Sequence, residues 1–107
     1  MFNGDKYKTI GVDSKVPEEL QAIMWQSIAK LVDSDTEVDY LQIFKLSRCN
    51  KHKKCQLITH SQEQPNEYKK EIHVISESKK ITTKIFVISS HDEDGNEYST
   101  MMLAKEY

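Results

Sequence analysis

Between Leu20 and Val32 apolar residues recur at three- and four-residue spacing, and this helix signal is the clearest in the chain. Leu20, Ile23, Met24, Ile28, Leu31 and Val32 form one helical stripe at about 100° per residue, with Glu19, Gln26 and Lys30 opposite. Pro17 suits the first helical position, which needs no donor. Glu18 and Glu19 then place negative charge at the positive end of the helix dipole. Asp33, Ser34 and Asp35 end the helix near Val32 or Asp33. Trp25 sits on the shoulder of the stripe. One such helix can cover one face of one sheet.

The remaining segments read as strands. "YKTIGV", Tyr7 to Val12, alternates well enough for a short first strand, and Asp13 to Lys15 is a turn. Asp39 to Ser47, Cys55 to Ser61, Glu67 to Ser76, Ile81 to Ser90 and Glu97 to Glu106 follow, rich in aromatic and β-branched residues. Short separations favour antiparallel neighbours. The expected fold is α+β: one amphipathic helix on a mostly antiparallel sheet of about five to six strands. With 107 residues the chain is expected to be a single domain, residues 1–107.

The last hairpin allows a register to be written. Asp94-Gly95 suits a two-residue type I′ turn. That turn sets Ile88 opposite Met101 and Phe86 opposite Leu103, with Val87–Met102 and Ile85–Ala104 on the other face. Both faces of the hairpin are then apolar, whereas a half-exposed strand should alternate with polar residues. The face away from the helix must be covered by a curled sheet, by a second subunit or by a protein partner.

Composition removes several classes. Fifteen basic and 17 acidic side chains leave a net charge of −2, so no global field steers the chain to nucleic acid or membrane. The longest apolar runs, such as "IFVI", are four residues, against about 20 for a membrane span. "MFNGDKYKTIG" lacks the apolar stretch of a signal peptide. Two cysteines do not make a disulfide framework, so a cytoplasmic protein with reduced thiols is expected.

Three constellations carry candidate chemistry. In "THSQEQPNEY", His60, Ser61 and Glu63 have the composition of a small hydrolase site. Strand alternation, however, places His60, Gln62 and Gln64 on one face and Ser61 and Glu63 on the other. No glycine-rich turn is present, and no catalytic residue is assigned. The competing reading is a strand end stopped by Pro65, with glutamine amides satisfying backbone groups. In "CNKHKKCQLITH", Cys49, His52, Cys55 and His60 are donors of the right kind for a tetrahedral zinc site. The spacing lacks a CxxC pair, and His60 lies roughly 17 Å from Cys55 along an extended strand. A Cys49–Cys55 bridge fits a hairpin geometrically but is disfavoured in a reducing compartment. The same loop, with Lys45, Arg48, Lys51, Lys53 and Lys54, is basic enough to touch phosphate, though no nucleic-acid-binding motif accompanies it. Trp25 is either a binding anchor or the seal at the edge of the helix–sheet core, and sealing is favoured. "HDEDGNE" is a hairpin turn and lacks the spaced ligands of a calcium loop.

The segments "YKTIGV", "VPEELQAIMW", "VDYLQIFKL", "THSQEQP" and "STMMLAKEY" together resemble a small family of bacterial proteins of unknown function, from staphylococci and other low-GC Gram-positive bacteria. The resemblance is collinear over most of the chain and implies a single cytosolic α+β domain from a bacterium or phage. It implies no activity, and the loop from Arg48 to Cys55 lies outside it. The expected function is a non-enzymatic protein–protein interaction or regulatory module, a homodimer included. It needs no cofactor. Trp25, Arg48, Lys51, Lys53, Lys54, His60, Gln62 and Glu63 are the interaction candidates. The alternative is a metal- or nucleic-acid-binding module on residues 48–60.

Overall fold

The computed structural model describes Met1–Tyr107, in the order β1 (Asp5–Lys8), α1 (Ile10–Lys15), α2 (Glu18–Val32), β2 (Leu41–Arg48), β3 (Cys55–Gln62), β4 (Tyr68–Ile75), β5 (Thr83–His91) and β6 (Glu97–Leu103), closed by a 3₁₀ turn, Ala104–Glu106. The expected α+β architecture is present: one long helix lies on a six-stranded sheet of order β1-β6-β5-β2-β3-β4. All pairs are antiparallel except β1–β6. No helix is long and apolar enough to cross a membrane.

Leu20, Met24, Ile28 and Leu31 of α2 are buried, as the helical stripe requires, and face Phe44, Leu46, Ile58, Ile85, Val87, Met101 and Leu103 from alternate strand positions. Trp25 is half-buried against this core with the Lys6 ammonium 5.8 Å from its ring centre, the sealing position.

Four expectations need correction. Val12 is not in a strand: β1 ends at Lys8, and Thr9 caps α1 by accepting from the Val12 N–H. The turn at that cap buries Val12 in the core and leaves Ile10 exposed, where a continued strand would not. The last strand stops at Leu103, because the Glu106 carboxylate turns back to accept from the Leu103 N–H at 2.8 Å and the Thr9 hydroxyl at 2.7 Å.

The β4–β5 connection is not a hairpin. β5 crosses over to pair with β2, so β4 keeps a free edge. The β5–β6 register differs by one residue, with Val87 opposite Met101, Ile85 opposite Leu103 and Phe86 opposite Met102. Asp92 and Asn96 still pair, and the loop between them has three residues. Its Gly95 has φ +83°, and the Asp92 carboxylate accepts from the Asp94 and Asn96 N–H groups at 2.9 Å. A three-residue loop ending in a left-handed glycine is the next commonest hairpin after the two-residue one. A one-residue slip exchanges partners across the sheet. Both faces are nevertheless apolar, as expected.

On the face away from α2, Ile43, Phe86 and Met102 form one cross-strand row and Leu41, Ile88 and Thr100 another, all half-buried. Tyr107 meets the Phe86 ring edge-on at 5.6 Å, and Tyr7 meets Tyr98 at 6.0 Å. No other layer of the chain lies over these rows, and the molecule is a slab of 46 × 31 × 20 Å. Twenty ångströms is the thickness of two layers at about 10 Å each.

Candidate functional site

The inward face of β3 reads Gln56, Ile58, His60, Gln62, and all four are buried. Three polar side chains on a core-facing strand need partners. Gln62 donates to the Glu37 carbonyl at 2.8 Å and the Asn66 carbonyl at 3.1 Å, and its Oε1 accepts from the Asp39 N–H at 2.9 Å. Those backbone groups fix which end of the amide is oxygen. Gln62 Oε1 therefore accepts from Gln42 Nε2 at 2.8 Å, and Gln42 Nε2 donates also to the Asp39 carbonyl at 2.9 Å. Gln42 Oε1 must then face His60 Nε2, at 2.7 Å, and accept. His60 consequently carries its proton on Nε2, and Nδ1 accepts from the Ser27 hydroxyl at 2.7 Å. One directed chain of hydrogen bonds thus runs from α2 through β3 and β2 to the two connections that flank them.

His60 is fully buried, stacked on Phe44 at 4.3 Å and edge-on to Tyr68 at 5.3 Å. Burial, with a smaller contribution from the Lys70 ammonium, pushes its pKa down to about 4. The imidazole is neutral at neutral pH, as the tautomer argument requires.

A serine hydroxyl on a histidine nitrogen is the contact from which a nucleophile is made. Here Ser27 lies mid-helix, where neighbouring backbone N–H groups are committed to α2 and none is free to hold an oxyanion. His60 is also too weak a base at neutral pH, and Gln42 stands where an orienting carboxylate would. The arrangement joins the helix to the sheet.

The residues singled out from sequence separate accordingly. Ser61 lies on the open face and His60 on the helix face, as strand alternation predicts, and Glu63 is exposed beyond β3. Gln62 does bind backbone groups. Pro65 ends the segment, in a cis peptide with Gln64. Cys49 and Cys55 correct the expectation of free thiols: they are cross-strand neighbours, their Cα atoms 5.3 Å apart, and are joined in a disulfide. The hairpin register brings them together, in the bridge that fits a hairpin geometrically and that a reducing compartment would disfavour. His52 accepts from the Lys54 N–H, and His60 spends both ring nitrogens on Ser27 and Gln42, so the four candidate zinc donors do not converge. Arg48, Lys51 and Lys53 are exposed, and Lys54 pairs with Glu77 at 2.8 Å.

Sequence reasoning missed Ser27, Gln42 and Gln56. Gln56 donates to the Ser47 and Ile81 carbonyls and accepts from the Ile81 N–H at 2.9 Å, fastening the segment before β5. The available signal was the parity of Gln56, His60 and Gln62, which places all three on one face of a strand that must bury it. Two concave regions were also not legible. A groove of about 540 Å³ runs between α2 and the free edge of β4, lined by Ile23, Ser27, Lys30, Lys70, Ile72 and Val74. A second pocket, also about 540 Å³, is lined by Lys15, Lys79, Lys80, Thr82, Thr83 and Lys105.

The fold and these surfaces define a small α+β domain with a six-stranded sheet open on one face and an interior polar network that ties its layers together. The chain belongs to the family described as "Staphylococcal protein of unknown function (DUF960)", whose model matches residues 5–106. It is similar to a protein of unknown function from Enterococcus faecalis solved by crystallography. That match has a TM-score of 0.75 and 23% identity, covering 98% of this chain and 92% of that one, and it shows the shared fold. A comparison with curated proteins gives no match.

Proposed function

We propose that this protein is a non-enzymatic protein-binding module acting through the open face of its sheet, with a second copy of the chain as the occupant. The observation that carries this reading is the pair of apolar cross-strand rows, Ile43–Phe86–Met102 and Leu41–Ile88, on the side without a helix. The 46 × 31 Å face offers at most about 1,400 Å², against about 800 Å² per partner in a standard interface. Face-to-face sheets pack about 10 Å apart through such rows. The face carries both signs, Lys45 beside Lys84 on the central strands and Lys69, Glu71 and Asp5 on the edge strands, and a two-fold contact can match these with themselves. A partner of strong single charge gains nothing from this mixture.

Light scattering coupled to size exclusion tests the reading on the full chain. A dimer that becomes a folded monomer in Phe86→Glu, with its circular dichroism unchanged, supports it. A wild-type monomer at high micromolar concentration overturns self-association, as does a dimer that survives Phe86→Glu.

A further inference from the structure

The lysine pocket belongs neither to the open face nor to the buried network. It is assembled from three separate pieces of chain: Lys15 at the end of α1, Lys105 in the 3₁₀ turn, and the 79–83 segment leading into β5. None of its four lysines takes part in a salt bridge. Two of the carboxylates nearest along the chain are ion-paired elsewhere, and the third, Glu106, lies close enough to act on Lys15 and Lys105 while hydrogen-bonded to other groups. Asp13 pairs with Lys8 at 2.9 Å, Glu77 pairs with Lys54, and Glu106 is held by the Thr9 hydroxyl and the Leu103 N–H.

One of the ammonium groups is held as well as gathered. Lys80 donates to the Ser76 carbonyl at 2.5 Å and to the Ser78 carbonyl, so its charge is positioned without being neutralised. The Lys105 ammonium stands beside Lys15 and lowers its pKa, and the nearby Glu106 carboxylate offsets only part of that like-charge repulsion. Thr82 and Thr83 add hydroxyl donors, while Ile81 and Leu103 supply the apolar part of the wall. A concavity of about 540 Å³ is within the range of small-ligand sites.

We propose that this pocket binds a small anion carrying two or more phosphate groups, its charge on Lys15, Lys79, Lys80 and Lys105. A multiply charged phosphate chain relieves the Lys15–Lys105 repulsion and can meet several ammonium groups at once. A single phosphate spans fewer of them and binds more weakly. The basic loop around Lys51 and Lys53 contributes no lining to the pocket.

Isothermal titration of the full chain with pyrophosphate, ATP and inorganic phosphate tests the proposal. Pyrophosphate and ATP should bind in low salt, inorganic phosphate more weakly, and affinity should fall as salt rises. Lys15→Gln/Lys105→Gln and Lys79→Gln/Lys80→Gln should each weaken pyrophosphate binding by about tenfold or more, since each removes two charge-assisted contacts. Lys15, Lys79 and Lys105 are exposed and Lys80 is half-buried, and thermal melting should show the variants folded. Lys51→Gln/Lys53→Gln should leave pyrophosphate affinity unchanged. No heat with millimolar pyrophosphate in low salt overturns the site. Equal weakening by the Lys51/Lys53 variant also overturns it, because the binding would then report a general field. So does a single-stranded oligonucleotide that binds more tightly than ATP and depends on Lys51 and Lys53, which would identify a nucleic-acid surface instead.

Discussion

Replacing His60 by phenylalanine isolates what the buried network contributes, and pH is the variable that reads it. The folded His60 has a pKa of about 4, lowered by burial and then by Lys70, against about 6.5 in an unfolded chain. Between those values the unfolded chain binds more protons than the folded one. Stability is therefore complete above about pH 6.5 and falls as pH drops toward 4. From these two pKa values the loss is about 2 kcal/mol by pH 5 and about 3 kcal/mol by pH 4.

His60→Phe keeps an aromatic ring against Phe44 and Tyr68 but leaves Gln42 Oε1 without its donor and Ser27 without its acceptor. Ser27 can turn to a helix carbonyl, whereas Gln42 Oε1 cannot move. The expected cost at pH 7 is about 1–3 kcal/mol. Urea unfolding at pH 7 and pH 5, on wild type and variant in parallel, gives both numbers. Carboxylate titrations are common to the two proteins and cancel in the difference. The gap between them at pH 7 should shrink by about 2 kcal/mol at pH 5. A gap that stays constant with pH would show that His60 is not held neutral by burial, and would refute the tautomer and network assigned above.

Two further outcomes follow from the same geometry. Gln62→Leu strips partners from the Asp39 N–H and from the Glu37 and Asn66 carbonyls, and should cost about 2–4 kcal/mol in urea unfolding while loosening both connections in amide exchange. Cys49→Ser/Cys55→Ser opens a seven-residue loop and should cost about 2 kcal/mol on the chain-entropy account, and the wild-type protein unfolded in denaturant without reductant should show no titratable thiol.

The helix was legible because α2 meets the rest of the protein along one stripe, so period alone locates it. The strands were legible for the same reason at period two. What misled was every place where one local signal had a competitor. Tyr7–Val12 alternates, yet a threonine cap and the burial of Val12 turn it into β1 and α1. Asp94-Gly95 suits the tighter turn, yet Asp92 accepts two backbone N–H groups and selects the longer loop. A reducing compartment would keep Cys49 and Cys55 as thiols, yet the hairpin puts them opposite one another. His60, Ser61 and Glu63 did not mislead, because strand alternation had already divided them.

By itself the sequence determined the fold class, the single covering helix, the two apolar faces of the sheet and the division of His60 from Ser61, because each depends on periodicity within one element. Only the tertiary structure decided the strand order, the Ser27–His60–Gln42–Gln62 chain and the convergence of Lys15, Lys79, Lys80 and Lys105. Those depend on which distant segments share a neighbourhood. Hydrogen bonds and charges act over a few ångströms in space, whatever the separation along the chain.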